Sequence, residues 1–157
     1  MPRLFHVSEY GDIARFEPQP APNNPDAQGN VVWAIDEEHL PNYLLPRDCP
    51  RVCFIESGRR VVAIEWRWLE CMQSTHLYVY EFNDSSFQLL DSIAGYWVST
   101  QPVVPRSKRI VTDLLLELEG LSVELRVVDD LWGLHDYVKD TTTEFSMIRM
   151  KNAQPPL

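Results

Sequence analysis

The chain has 157 residues and carries 23 acidic against 14 basic side chains, a formal net charge of −9 at pH 7. With a hydrophobic content of 45%, it is long enough to bury a sizeable core, and we predict a single domain over residues 1–157. The acidic charge makes bulk nucleic acid an unfavourable partner, because phosphate backbones bind basic surfaces.

The sequence also lacks the signals of membrane insertion and export. No apolar run approaches the ~18 residues that a membrane span requires, and the N-terminal residues form no apolar signal-peptide core. We therefore expect a cytoplasmic protein with no membrane partner. The sequence identifies no protein partner.

The first half of the chain is dominated by strand patterns. Leu4, Phe5 and Val7 predict an opening strand with His6 at its centre. A proline-rich segment, 20–30, predicts a long polar loop, since proline fits neither a helix interior nor an inner strand. Further strands are predicted over "VVWAID", "RVCFIE", "RRVVAIE" and "HLYVYEF". Short helices are predicted around Tyr43 and over "WRWLECMQ".

The second half contains fewer clear patterns. Strands are predicted over "YWVST" and "VELRVV", and a helix over "DDLWGLHDYVKDT" with Asp129 or Asp130 as its cap. The segment "KRIVTDLLLELEGL" mixes strand and helix signals, and the tail 151–157 is expected to fray. Because strands and helices do not alternate regularly, we predict an α+β fold, with a split mixed or antiparallel sheet of about six to eight strands and short flanking helices.

The three cysteines are Cys49, Cys53 and Cys71. Their number is odd and their surroundings are apolar, which favours reduced, buried thiols. Three residues separate Cys49 from Cys53, a wider spacing than the usual zinc knuckle. We therefore expect no metal.

Two segments resemble a known superfamily. The opening "LFHVSEYGDIARFEPQP", followed by "VVWAIDEEHLPNYLL", looks like the beginning of the ADP-ribosyltransferase-like superfamily, and "YWVSTQPVVP" resembles its third segment. Over its full length the chain also resembles an uncharacterised bacterial family, a domain of unknown function. The resemblance implies an ADP-ribosyltransferase-like fold that binds NAD or a related nucleotide.

The resemblance assigns roles to matching positions. His6 would bind the nicotinamide ribose, Ser8 would anchor the nicotinamide amide, and Tyr43 would stack on the ring. The acid that stabilises the breaking glycosidic bond would lie near Ser99 and Gln101, where this chain has an amide without negative charge. Three other carboxylates could replace that acid: Glu9, Glu65 and Glu144.

Each assignment has a structural alternative. His6 could be a partly buried histidine that bonds a backbone carbonyl, Tyr43 could pack in the core against Trp33, and Ser99 could cap a strand end. The two functional hypotheses are thus a nucleotide-binding protein, with His6, Tyr43 and Gln101 as catalytic candidates, and a non-catalytic ligand- or protein-interaction domain that keeps the fold without activity.

Overall fold

The structure is a computed structural model that describes residues 2–20, 29–141 and 144–156. It confirms the predicted α+β class, with one antiparallel and one mixed sheet and short helices. The chain forms two compact units, and each is described by itself. The first contains Met1–Leu40 and Leu77–Ile110, and the second contains Pro41–His76 and Val111–Leu157. That residues 1–157 act as one domain stays a prediction.

The described residues contain eleven strands, more than the six to eight predicted, and three α-helices. The strands are β1 (Leu4–Ser8), β2 (Gln19–Pro20), β3 (Asn30–Asp36), β4 (Arg51–Glu56), β5 (Arg59–Glu65), β6 (Leu77–Phe82), β7 (Gln88–Asp91), β8 (Tyr96–Ser99), β9 (Ser107–Val111), β10 (Glu124–Val128) and β11 (Phe145–Ile148). The helices are α1 (Leu69–Ser74), α2 (Leu114–Gly120) and α3 (Trp132–Thr141), with 3-10 helices at Leu40–Tyr43, Trp66–Trp68 and Met150–Asn152. No helix among them is long and apolar enough to cross a membrane.

The first sheet has the strand order β7-β8-β3-β1-β6-β9, with β2 paired to β3. The ladders β7–β8, β8–β3, β3–β1 and β1–β6 are antiparallel. Alternate residues of these strands turn to one face, where they form an apolar cluster that includes Leu4, Ala34 and Phe82. This cluster is the core of the first unit.

The second sheet has the order β10-β5-β4-β11. It is mixed, because β10 runs parallel to β5 while the ladders β5–β4 and β4–β11 are antiparallel. Phe54 and Ala63 of this sheet pack with Leu131 and Val138, which belong to α3 and the turn before it. The helix begins where predicted, since Asp130 Oδ1 accepts a hydrogen bond of 2.7 Å from Trp132 N.

The structure resolves the ambiguous segment and adds two short strands that were not predicted from the sequence. The ambiguous segment divides at Thr112: β9 precedes it, and α2 follows with Asp113 as cap, accepting from Leu116 N at 3.0 Å. Strands β7 and β11 have only four residues each, too few for alternation to be recognised. Such strands form because a partner strand supplies their hydrogen bonds.

Two predicted irregular segments can be compared only in part. Residues 21–28 of the predicted proline-rich loop lie outside the described residues, while Pro20 and Asn30 pair in the β2–β3 ladder. In the predicted frayed tail, Lys151 and Asn152 belong to a 3-10 helix. Beyond them, the carbonyl of Gln154 accepts a hydrogen bond from Trp132 Nε1 at 2.5 Å.

Arg51 is a buried cation that organises the irregular segment before β4. Its guanidinium group donates to four backbone carbonyls at 2.9–3.1 Å, those of Asn42, Pro46, Arg47 and Cys49. Burial lowers the pKa of Arg51. A buried charge is tolerated only when its hydrogen bonds are made, so these carbonyls hold Arg51 and Arg51 in turn fixes the path of residues 42–49.

The three cysteines are free thiols, and Cys49 and Cys53 are fully buried. Burial raises the pKa of both thiols from 9.0 to about 12, an effect that the charge of Arg51 offsets only in part. Cys71 is half-buried on α1, where its sulfur lies 3.6 Å from Thr75 Oγ1. The absence of a metal stays a prediction.

At about pH 8 we expect Cys49 and Cys53 to react with an aromatic disulfide roughly a thousandfold more slowly than exposed thiols, because thiolate is the nucleophile and a pKa near 12 leaves almost none. Spectrophotometric thiol counting checks this. Cys71 should react first in the folded protein and all three thiols after unfolding in urea. Rapid labelling of all three in the folded state would contradict the prediction.

Candidate functional site

The two ladders that β1 forms with its neighbouring strands differ in length. β1 pairs with β6 through all five of its residues, from Leu4 to Ser8. Its ladder with β3 has only two residue pairs, Leu4 with Asp36 and Phe5 with Ile35. The residue pairs with β3 therefore end at Phe5, while the ladder with β6 continues to Ser8.

His6 lies at the point where this change occurs. Its Nδ1 atom is 3.3 Å from the carbonyl oxygen of Trp33, so the imidazole reaches β3 where the backbone ladder has ended. The half-buried ring packs against Phe16, with centroids 4.7 Å apart, and lies 6.3 Å from the ring of Phe82. Bonding to a carbonyl is the structural alternative considered for His6. The role of His6 toward a ligand stays a prediction.

A second polar group belongs to the same aromatic cluster. Trp97 of β8 packs against the buried residues that include Phe16 and Phe82. Its indole Nε1 is buried and has no hydrogen-bond acceptor among the described residues. Leaving a buried donor unpaired costs about 1–3 kcal/mol. A ligand oxygen placed there would provide the missing acceptor.

The serine and glutamine candidates in the first unit have mainly local contacts. Ser8 Oγ accepts a hydrogen bond from Tyr10 N at 3.0 Å, a turn that ends β1. The buried Ser99 hydroxyl donates to Ser86 Oγ at 2.9 Å and accepts from Gln101 N at 3.2 Å. Ser99 thus has the geometry of a strand-end cap. The side chain of Gln101 is exposed.

Tyr43 is half-buried in the 3-10 helix Leu40–Tyr43 and belongs to the second unit, whereas His6, Ser8, Ser99 and Gln101 belong to the first. Four of the five candidate residues therefore belong to the first unit, where His6, Ser8 and Ser99 lie on strands of its sheet and Gln101 follows β8. The catalytic and binding roles assigned to all five stay predictions.

The three substitute carboxylates differ in their surroundings. Glu65 is fully buried, and its carboxylate accepts from Arg67 Nε and from Gln154 N, both at 2.9 Å. Glu144 pairs with Arg60 at 3.3 Å. Both lie in the second unit, where Glu65 holds the C-terminal segment in place. Glu9 directly follows β1, so it is the one carboxylate of the three that lies next to the His6 strand in sequence.

Sequence reasoning missed a polar cluster at the end of β3. Asp36 Oδ1 accepts hydrogen bonds from His39 N at 3.0 Å and, at 2.7 Å, from Nδ1 of the same histidine. His39 is buried, and Asp36 N donates to the carbonyl of Gly95 at 3.0 Å. The Asp-x-x-His spacing after a buried strand is the signal that could have revealed it, because aspartate readily bonds the backbone that follows it.

Gly95 allows this cluster to form. Its φ is +73°, and a Cβ atom there would lie 2.4 Å from His39 Nδ1 and 2.8 Å from Asp36 Oδ1. A side chain at position 95 would thus be strained in its backbone and would collide with the bonded pair.

Residues 5–153 match the family of unknown function DUF6886. The chain belongs to this family. The match covers both units, so residues 6–8 of β1 and the Asp36 cluster are parts of the DUF6886 region. No curated protein and no solved structure matches the chain. The comparisons thus confirm a domain of unknown function and add no support for the resemblance to ADP-ribosyltransferases.

We expect Gly95→Ala to lower the free energy of unfolding by about 2–4 kcal/mol, because strain at positive φ adds to the collision with His39. Urea denaturation followed by circular dichroism measures the change. Gly58→Ala is the matched control, since Gly58 has a φ of +75° but nothing within 4 Å of an added Cβ. It should cost only about 1 kcal/mol. Equal losses in the two variants would contradict the collision.

Proposed function

We propose that the first unit of this DUF6886 protein binds a nucleotide, NAD or a related compound, beside residues 6–8 of β1. The observation that carries the proposal is the short β1–β3 ladder, which ends at Phe5 although β1 continues to Ser8. A carboxamide such as that of nicotinamide has one acceptor and one donor face, so it can form hydrogen bonds with the backbone of a strand.

His6 and Trp97 support the same location. Because the Trp33 carbonyl is an acceptor, His6 Nδ1 carries the proton in this contact. An imidazole has ring nitrogens of the kind that bind ribose hydroxyls. The indole N–H of Trp97 is a donor suited to a ligand oxygen. Aromatic rings around His6 provide an apolar wall for a flat heterocycle. The proposal does not use Tyr43.

The chemistry that we propose is binding with slow ADP-ribosyl transfer or none. Stabilising an oxocarbenium-like centre requires negative charge, and Gln101 supplies a neutral amide. Glu9 is the carboxylate best placed by sequence to substitute, as it follows the His6 strand. The alternative function, a non-catalytic interaction domain, is favoured by the same missing charge and by the capping role of Ser99.

We expect the wild-type protein to bind NAD in titration calorimetry and His6→Ala to weaken that binding at least tenfold, because one lost hydrogen bond is worth about 1 kcal/mol and the ring contact is lost with it. His76→Ala is the control, since His76 is exposed and should bind like the wild type. Trp97→Phe keeps an aromatic ring without the N–H donor and should also weaken binding. Circular dichroism verifies that each variant is folded.

Two results would count against nucleotide binding. One is the absence of heat with NAD, NADP and ADP-ribose in the wild type, which would favour the interaction domain. The other is equal affinity of the wild type and folded His6→Ala, which would place the ligand away from β1.

We expect Gln101→Glu to raise NAD hydrolysis at least tenfold, because a single charged group near the breaking bond can supply ~10²–10³ in rate. Chromatography of released nicotinamide measures the rate. Gln88→Glu introduces the same charge at an exposed position of β7 and should leave hydrolysis unchanged. Fast hydrolysis by the wild type would instead show that another carboxylate already supplies the charge.

A further inference from the structure

β9 is an edge strand of the first sheet. β9 occupies the last position in the strand order, beside β6, and Arg106 N donates to the carbonyl of Glu81 at 2.8 Å where the two segments meet. Four successive residues of β9, from Ser107 to Ile110, are exposed. In the described chain, their outer side has no strand neighbour.

This edge carries a concentration of positive charge. Arg106, Lys108 and Arg109 occur within four residues, and the side chains of all three are exposed. The whole chain has a net charge of −9, so the cluster contrasts with the rest of the molecule. We call Arg106–Ile110 the basic edge. A local basic surface on an acidic protein favours an acidic partner through complementary charge.

The surface around the basic edge contains both polar contacts and exposed apolar side chains. Lys108 Nζ donates to the carbonyl of Gly11 at 2.5 Å and lies 5.9 Å from the ring centroid of Tyr78. Ile110 lies on the same face of β9 as Lys108, two residues further along, and is 50% exposed, while Tyr10, next to Gly11, is 66% exposed. An added strand could thus place apolar and acidic side chains against matching groups.

The opposite edge of the sheet is less suited to strand addition. β7 has four residues, and its ladder with β8 shifts register between Leu89 and Asp91. Such irregularities protect an edge from pairing. Its acidic residue Asp91 would also repel an acidic partner. The basic edge therefore differs from β7 in charge.

We propose that the basic edge binds an extended acidic segment of a partner protein, which adds to β9 as a further strand. Backbone hydrogen bonds would supply affinity and the basic side chains would supply selectivity. A second copy of this chain fits less well, since pairing two basic edges would bring like charges together. Nucleic acid fits less well because of the overall negative charge. This proposal is independent of nucleotide binding at β1.

The test uses a fluorescent octapeptide of alternating glutamate and valine. The full-length protein is titrated into the peptide at low salt, and fluorescence anisotropy measures binding. We expect saturable binding that weakens about tenfold in Lys108→Glu/Arg109→Glu. The control, Lys139→Glu/Lys151→Glu, makes the same charge change at exposed positions of the second unit and should bind like the wild type. Circular dichroism verifies that both variants fold.

A second peptide separates strand addition from attraction between charges alone. Methylation of alternate backbone nitrogens on one edge keeps the peptide charge but removes its donors on that edge. Two analogues are made, each methylated on a different edge of the peptide. We expect one of them to bind at least tenfold more weakly than the unmethylated peptide. Equal binding of all three peptides, no saturable binding up to about 1 mM, tighter binding of a single-stranded oligonucleotide, or dimerisation through β9 in analytical ultracentrifugation would each overturn the proposal.

Discussion

Buried polar side chains must be hydrogen-bonded, and this requirement holds the irregular parts of the chain in place. Arg51 donates to four carbonyls of the segment before β4, and Glu65 accepts from the backbone of the C-terminal segment. Asp36 binds His39 at the end of β3, and Ser99 closes the end of β8. Regular strands supply their own backbone partners, so such side chains are needed where the strands end.

The same requirement distinguishes the candidate site from these structural clusters. The polar atoms of Arg51, Glu65 and Ser99 are bonded within their own unit, which leaves them little capacity for a ligand. At β1 the ladder to β3 ends early, and Trp97 has a buried donor without an acceptor in the described chain. Among the described residues, the buried side-chain donors without an acceptor are the indole groups of Trp97 in the first unit and Trp68 in the second. Trp97 packs against the aromatic cluster that also contacts His6.

The candidate site could be predicted only in part from the sequence. The prominence of His6 could be recognised because a histidine interrupts an apolar strand pattern, and its strand was predicted correctly. The unpaired indole of Trp97 and the contact of Gly95 with Asp36 and His39 could not be found, because they depend on residues that are distant in the chain. The Asp36–His39 pair is local, and its spacing was a usable signal. The capping contacts of Ser99 are local, and the sequence had already suggested them as an alternative.

The sequence by itself determined the α+β class, the long strands and the helix α3, because side-chain alternation and helix caps are local signals. Only the tertiary structure decided the division into two sheets, the parallel pairing of β10 with β5 and the existence of strands as short as β7 and β11. A four-residue strand has little preference of its own and forms when a neighbour satisfies its backbone. The early end of the β1–β3 ladder depends on the same long-range pairing, which local patterns do not encode.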